Sequence, residues 1–549
     1  MRLHRVWLER FRNLNNFTIV LHDPDWPRRD EDALLHRKLY GSTDLRFLAG
    51  LNGAGKSNLL NALGLIFSHL GRAEAPPIMF DLEYERGGDF YRLTNAPKRM
   101  PPDATFLPGV GVAVWKRAPK SDEWEFQSQW AKEGWLPERV VAYSTGPATG
   151  IAWALDGSVA QLARERMGEL PATEAEHEQQ KKVAESYLDN PYSLHLGYEE
   201  SLCAALALLA HNGVQPPKRS ENGGKAEPPP DVGPYRERRE TLLERVKLDR
   251  RMPLAAFCLQ IRGDWAERLT AKSQDSLRRL LQQATRRTPV DQTVSADDGI
   301  GSTRRDFLAV FDALSPNPED GRLFGVQSLY TQPHRFFEDL LAWKRQGALA
   351  KVSLILQKER KPDATNPNAP APDLLTDRDL SDGEALFLGR YGLLLMLSQF
   401  PETLVLLDEP DTHYNDRWKI DLVWDVCTMM NDDKWTSAFP RCAVLVATHS
   451  PVTLSDADRS QVYLFTEQDG SLSVETANAY TLGADISDLS AMLAQLPSTA
   501  GSNLARKREK LDKKLLQSLL RRVAPGLLRL EILALLAGDD GEAEDQPTC

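Results

Sequence analysis

The sequence predicts an α/β protein: a mixed β-sheet built around a phosphate-binding loop and interrupted by a mainly helical insertion. Three observations carry this. The run "LRFLAG" leads straight into "GLNGAGKS", and that loop opens an amphipathic helix. Two later apolar runs, "ETLVLLDEP" and "RCAVLVATHSP", have the unbroken hydrophobicity of strands buried on both faces. Between these regions the chain turns charged and helix-favouring, as in "EAEHEQQKKVAESYL" and "SQDSLRRLLQQATRR".

Bulk properties bound the function classes. The 549 residues hold core enough for two to four domains, with 42% hydrophobic and 26% charged residues. The five cysteines are scattered without a C-x-x-C pair, which argues against a zinc site or a disulfide framework. A net charge of −11 excludes a generic polyanion binder but leaves room for a local basic groove. "MRLHRVWLERFRNL" lacks the apolar run of a signal peptide, and no stretch has the length of a membrane-spanning helix. The expectation is a cytoplasmic protein with no membrane partner.

In chain order, "LHRVWLERFRNLNNFTIVLHD" alternates about an Arg-Asn-Leu-Asn-Asn turn and reads as a β-hairpin. After the loop, Leu59, Leu60, Leu63, Ile66 and Phe67 have helical spacing. Strand-like runs continue to "RVVAYSTG", closing an N-terminal lobe over residues 1–150. Residues 151–347 read as a helical arm or cap, with a Pro/Gly/Lys-rich loop at 214–234 expected to be disordered. The β/α pattern returns over 348–480, and 481–549 reads as a helical region ending in an acidic tail.

The chemistry-bearing residues cluster in these runs. In G-x-x-x-x-G-K-[ST], the backbone N–H groups around Gly50, Asn52, Gly53, Ala54, Gly55 and Asn58 converge on phosphate oxygens. Lys56 supplies a charge to the β- and γ-phosphates, and Ser57 can place its hydroxyl on Mg²⁺. Asp408 and Glu409 end an apolar strand, suited to holding Mg²⁺ and to polarising the attacking water. Ser381 and Gly383 open an apolar helix in "DLSDGEALFLGRYGLLLML", which by itself reads equally as a capped helix. His449 ends the strand "CAVLVAT" after Thr448, where it can meet a γ-phosphate.

The order phosphate loop, signature serine, Asp-Glu, strand-terminal His resembles the ATP-binding-cassette ATPases, in the soluble RecF/SMC/OLD-like branch. The opening hairpin and "DTHYN" with its His413 resemble that branch too. The resemblance implies an ABC-type ATPase head using ATP and Mg²⁺. Two heads would sandwich two nucleotides, Ser381 and Gly383 acting across the interface on the γ-phosphate held by Lys56, Ser57, Asp408, Glu409 and His449 of the other. Asp382 departs from the common transporter signature, where glycine is usual. Gln127 and Gln129 are candidates for the family's lid glutamine. Asp456-Ala457-Asp458 reads as a turn ahead of "QVYLFTE", not as a nuclease D-x-D.

Within the branch, "VVAYSTG", "LHLGYEESLCAALALL" and "LDEPDTHYNDRWK" resemble ATPases of bacterial anti-phage loci, the PtuA type of Septu and of Septu-containing retrons. That implies a homo-dimer or higher homo-oligomer that scaffolds or gates an HNH-type nuclease. In retron loci a reverse transcriptase and its RNA–DNA product join the assembly. The alternatives are a RecF/SMC-like repair ATPase binding DNA directly, and an ATP-dependent assembly scaffold with little turnover. Two docking surfaces are candidates: the basic helix Leu504–Arg522, with Leu511, Leu515, Leu516 and Leu519 on one face, and the arginine-rich stretch from Arg236 to Arg251. The alternative for the first is a helix packed on its own domain, and for the second, with Glu237, Glu240, Glu244 and Asp249 interleaved, a salt-bridged helix surface.

Overall fold

A computed structural model of the chain describes residues 1–22, 30–50, 53–101, 104–119, 121, 123–130, 132–144, 188–189, 192–211, 233–250, 252–290, 305–312, 326–327, 329–359, 373–398, 400, 402–431, 441–468, 471–477, 480–484, 486, 489, 511–524 and 527–538. The strands in chain order are β1 (Arg2–Phe11), β2 (Leu14–Val20), β3 (Thr43–Gly50), β4 (Phe80–Arg86), β5 (Asp89–Thr94), β6 (Ala113–Arg117), β7 (Glu125–Phe126), β8 (Arg139–Ser144) and β9 (Ser193–Leu196). They continue as β10 (Leu254–Ile261), β11 (Arg286–Pro289), β12 (Phe307–Asp312), β13 (Leu349–Gln357), β14 (Leu374–Thr376), β15 (Thr403–Asp408), β16 (Cys442–Thr448), β17 (Val462–Gln468) and β18 (Ser471–Thr476).

The contacts divide the chain into two compact units, residues 1–155, 192–195 and 400–549 against residues 156–191 and 196–399. The first unit carries a seven-stranded sheet in the order β18-β17-β3-β16-β15-β8-β9, with β17, β3, β16, β15 and β8 parallel. All eight residues of β3 are buried, which is why "LRFLAG" shows no alternation. One face packs on the helix Lys56–Gly71, through Leu48, Val140, Ala142, Leu404, Leu406, Ala443, Leu445 and Ala447. Burial of each Leu or Val side chain here contributes roughly 1.5–3 kcal/mol.

A six-stranded antiparallel sheet in the order β2-β1-β4-β5-β6-β7 completes this unit. The expected hairpin is present, with Phe11 opposite Leu14 across a turn at Arg12 and Asn13. Val6, Leu8, Leu82, Tyr84, Leu93 and Val114 join the same core. The alternate face holds charge: Asp81, fully buried, accepts hydrogen bonds from Arg5 at 3.1 Å and from Arg92 at 2.9 and 3.0 Å.

The second unit departs from the expected helical arm. Helices are there, at Tyr198–Leu209, Gly233–Arg245, Ala271–Gln282 and Pro333–Arg345, but so is an antiparallel sheet in the order β11-β12-β10-β13-β14. Its strands β10 and β12 are flanked by charged helices, so their apolar pattern is diluted in a composition-level reading. The expected border at 347/348 moves to 399/400: β13 pairs with β10, and the helix Asp382–Leu397 packs on Tyr198–Leu209. A Cβ on Gly389 would lie 2.5 Å from Ser201, so these two helices touch at close range.

Among the described residues no helix is long and apolar enough to cross a membrane. Most of the 214–234 loop and the acidic tail lie outside the described residues.

Candidate functional site

In the glycine loop that follows β3, the described glycines adopt positive φ. Gly50 ends β3 at φ +143°, where a Cβ would stand 2.4 Å from the Phe465 carbonyl oxygen of β17. Gly55, at φ +93°, is the N-cap of the helix and is pressed by Leu14, Leu472 and Asn13. Gly53 is also left-handed, at φ +82°, but a Cβ there would meet nothing within 4 Å. Glycine is thus required by close neighbours at Gly50 and Gly55, and by backbone conformation alone at Gly53. Ala54 is buried, and Asn52 lies outside the described residues.

Lys56 is buried, and its ammonium donates to the Gly50 carbonyl at 2.8 Å. Burial lowers its pKa from the ordinary lysine value, with the Glu409 and Asp408 carboxylates opposing. A lysine desolvated in this way gains from an incoming anion. Ser57 donates to Asp408 Oδ1 at 2.8 Å, linking the first turn of the helix to the end of β15. Burial raises the Asp408 pKa, the Ser57 bond opposes this, and Glu409 adds to it. A serine hydroxyl and a carboxylate at this spacing are hard oxygen donors of the kind Mg²⁺ takes alongside substrate phosphates, so the residues present fit that ion.

Glu409 has φ +47°, a conformation that side-chain-bearing residues rarely adopt. Its N–H donates to Ala447 O at 2.9 Å, and the turn that follows is closed by Thr412 N–H on Glu409 O at 3.1 Å. The side chain meets His449, Nδ1 to Oε1 at 3.2 Å. Behind them the buried Asp411 accepts from Thr448 Oγ1 at 2.9 Å and Thr453 Oγ1 at 3.0 Å, tying the turn after β15 to the end of β16. Lys56, Ser57, Asp408, Glu409 and His449 therefore meet in one place. His413 is exposed, at φ +70°.

Arg12 and Asn13 were not singled out by the motif reading, yet the hairpin turn lies against the loop. Arg12 Nη1 donates to Asn58 Oδ1 at 2.8 Å, Asn58 Nδ2 donates to Asn13 Oδ1 at 2.7 Å, and Asn13 Nδ2 donates to Gly53 O at 3.1 Å. The only signal in the sequence is Arg-Asn at the turn of the hairpin; in the structure Arg12 has φ +55°, where Gly would be commoner.

Gln127 and Gln129 are not on a strand beside Asp408. They follow β7, at the far edge of the antiparallel sheet from β2. Ser381 and Gly383 belong to the second unit. Ser381 caps the helix Asp382–Leu397: its Oγ accepts from Glu384 N at 3.2 Å and donates to Glu384 Oε2 at 2.8 Å, and its N–H donates to the same carboxylate at 2.9 Å. The serine is exposed and Gly383 buried.

Both candidate docking surfaces change. The helix is Lys513–Leu520, and Leu511, Leu515, Leu516 and Leu519 are buried within their own unit, where it packs on Asp30–Tyr40. Residues 504–510 lie outside the described residues. In the arginine-rich stretch Arg239 is buried, Arg236 pairs with Glu240 at 2.8 Å and Arg250 with Glu244 at 3.0 Å. Asp458 of the Asp-Ala-Asp turn caps a 3₁₀ turn and pairs with Arg522 at 3.0 Å.

No family model and no curated protein matches the chain. Among solved structures it is similar to an Smc head bound to the C-terminal winged-helix domain of ScpA, at 12% identity over 87% of this chain and 98% of that one, TM-score 0.27. The Smc head of Thermotoga maritima gives 10% identity over 87% and 100%, TM-score 0.27. The recombination mediator RecF bound to an ATP analogue gives 13% over 86% and 97%, TM-score 0.23. What this site does is carried by its own side chains.

Proposed function

We propose that the chain binds and hydrolyses ATP, dimerises over the nucleotide in the cytoplasm, and in that state gates a partner HNH-type nuclease of an anti-phage complex. The observation that supports the ATPase reading is the convergence of Lys56, Ser57, Asp408, Glu409 and His449 at the C-terminal ends of parallel strands, beside a helix N-terminus. Lys56 exchanges the Gly50 carbonyl for phosphate oxygens. Ser57 and Asp408 would hold Mg²⁺, which when bound would supply positive charge against the phosphates. Glu409 orients and deprotonates the attacking water. In the present arrangement His449 engages Glu409; a γ-phosphate that draws the imidazole away frees the carboxylate for water.

Ser381 and Gly383 of a second copy would close the site, and Asp382 beside them, a like charge facing the γ-phosphate, slows closure until a partner compensates. The nuclease partner, and a reverse transcriptase with its RNA–DNA where the locus is a retron, rest on the motif resemblance.

The test uses tagged Glu409→Gln chain expressed with its genomic neighbours, with Lys56→Ala as the control that loses nucleotide. Recovery of a nuclease with the Glu409→Gln chain, lost in Lys56→Ala, supports the gated-effector reading. Recovery of DNA without a nuclease replaces it with a RecF-like clamp. Equal ATP binding by both variants removes the ATPase reading altogether.

A further inference from the structure

The turn that leads into Ser381 is tied to the sheet of the second unit by one side chain. The three-residue strand β14 runs antiparallel to β13, with Leu374 opposite Gln357, Leu375 opposite Leu356 and Thr376 opposite Ile355. Bonds in such a ladder fall on alternate pairs, and Lys358 N–H donates to Asp373 O at 3.1 Å, so the N–H of Leu354 points to the same side. Were β14 one residue longer, the Asp377 carbonyl would accept it. Instead the backbone leaves the ladder in the 3₁₀ turn Asp377–Asp379, and the Asp377 carboxylate takes the Leu354 N–H through Oδ1 at 2.8 Å. Asp377 is buried, and a charged acceptor makes the bond stronger than a carbonyl would. Asp379 closes the exposed side of the turn, its Oδ2 accepting from Thr376 N–H at 2.7 Å and from Thr376 Oγ1 at 2.8 Å. Leu380 alone then separates this turn from Ser381.

We infer that Asp377 is the positioning residue for Ser381. Its carboxylate lets the chain leave the sheet one residue early without orphaning a buried donor, and so fixes where the serine begins its helix. At the other end the helix Asp382–Leu397 is held by Tyr198–Leu209, where Gly389 meets Ser201. The bonds between Ser381 and Glu384 set the cap itself, whereas Asp377 sets the place of that cap relative to β13. An exposed serine that must meet a phosphate needs such a mount, because a contact of this kind fails when its support is loose. The inference rests on the sandwich proposed above, in which Ser381 of one copy meets the nucleotide of another, and adds to it a residue that no motif marks.

The test is ATP-dependent self-association of the full-length Glu409→Gln chain, read by sedimentation velocity. Beside it, the affinity for a fluorescent ATP analogue is measured at protein concentrations where the chain is monomeric. Adding Asp377→Ala is expected to weaken association roughly 10–100-fold, within what a small misplacement of a contacting group costs, and to leave the monomer's nucleotide affinity unchanged. Asp377→Asn keeps an acceptor oxygen at the same reach and restores most of the association. Thermal melts show that each variant is folded. Should Asp377→Ala unfold, Asp379→Ala against Asp379→Asn gives the same comparison from the exposed side of the turn. Unchanged association in folded Asp377→Ala, or an equal loss in Asp377→Asn, overturns the inference. Ser381→Arg is the control for the sandwich: if it associates as the parent does, the sandwich reading itself falls and takes the inference with it, so the two failures are told apart.

Discussion

Two charged clusters of the first unit, one on each sheet, are built in opposite ways. On the antiparallel sheet the polar cluster is closed. Asp81 is surrounded by Arg5, Arg92 and Arg99, Arg5 also pairs with Glu83 at 2.6 Å, and Arg99 lies over the Trp7 ring at 4.0 Å. On the parallel sheet the cluster is open: two consecutive carboxylates and one buried lysine end at a glycine loop with space in front of it. A closed cluster serves the fold, because every charge already has its counter-charge. An open one is held at a cost that a ligand removes.

Glu409→Gln should have the largest effect, lowering ATP turnover about 10²–10⁴-fold with Tm unchanged; normal turnover would place the general base elsewhere. On the closed side, Asp81→Ala should destabilise by about 2–3 kcal/mol, below the roughly 3–5 of a wholly buried pair because its arginines are part-exposed. Urea denaturation measures it, and nucleotide affinity should not move. If affinity falls as well, the two clusters are coupled and the contrast fails.

Acid sharpens the comparison next. Burial, reinforced by Arg2 and Arg46, pushes His22 down to about 2, and burial pushes His36 down to about 3. Both are neutral when folded and ordinary when unfolded, so their contribution is complete above about pH 6.5 and is lost as pH falls below it. The urea midpoint should drop between pH 7 and 5, and a double His→Gln variant should flatten that slope. Smallest is Asp408→Asn. The raised pKa of Asp408 penalises the folded chain above the ordinary carboxylate range. Without nucleotide, the variant should therefore melt slightly higher at pH 7 and equally at pH 3; a lower melt at pH 7 would show that the Ser57 bond outweighs burial.

The open cluster was the legible one. Its residues lie in contiguous runs whose spacing is set by chemistry, so "GLNGAGKS", "LLDEP" and "ATHS" are readable in one dimension. What escaped the sequence depends on long-range pairing. Arg12 reaches Asn58 only because the hairpin lies on the loop. The strands "LAAFCLQI" and "FLAVFD" sit among charged helices, and a reading by average character absorbed them into a helical arm. The apolar row of Lys513–Leu520 was correctly seen, but nothing in it says whether it faces its own unit or another molecule.

The position of β3 bears on how the protein is made. In the sheet its neighbours are β16 and β17, so Thr43 waits for Cys442 and Phe47 for Val462. A ribosome adding about 5–20 residues per second takes roughly 20–80 s to supply those partners. Until then a strand that is buried along its whole length has no partner in its sheet, a demand that falls on chaperones rather than on the fold. ATP affinity in a nascent-chain series should therefore be absent until the last strands emerge, and so report complete synthesis before any assembly can begin.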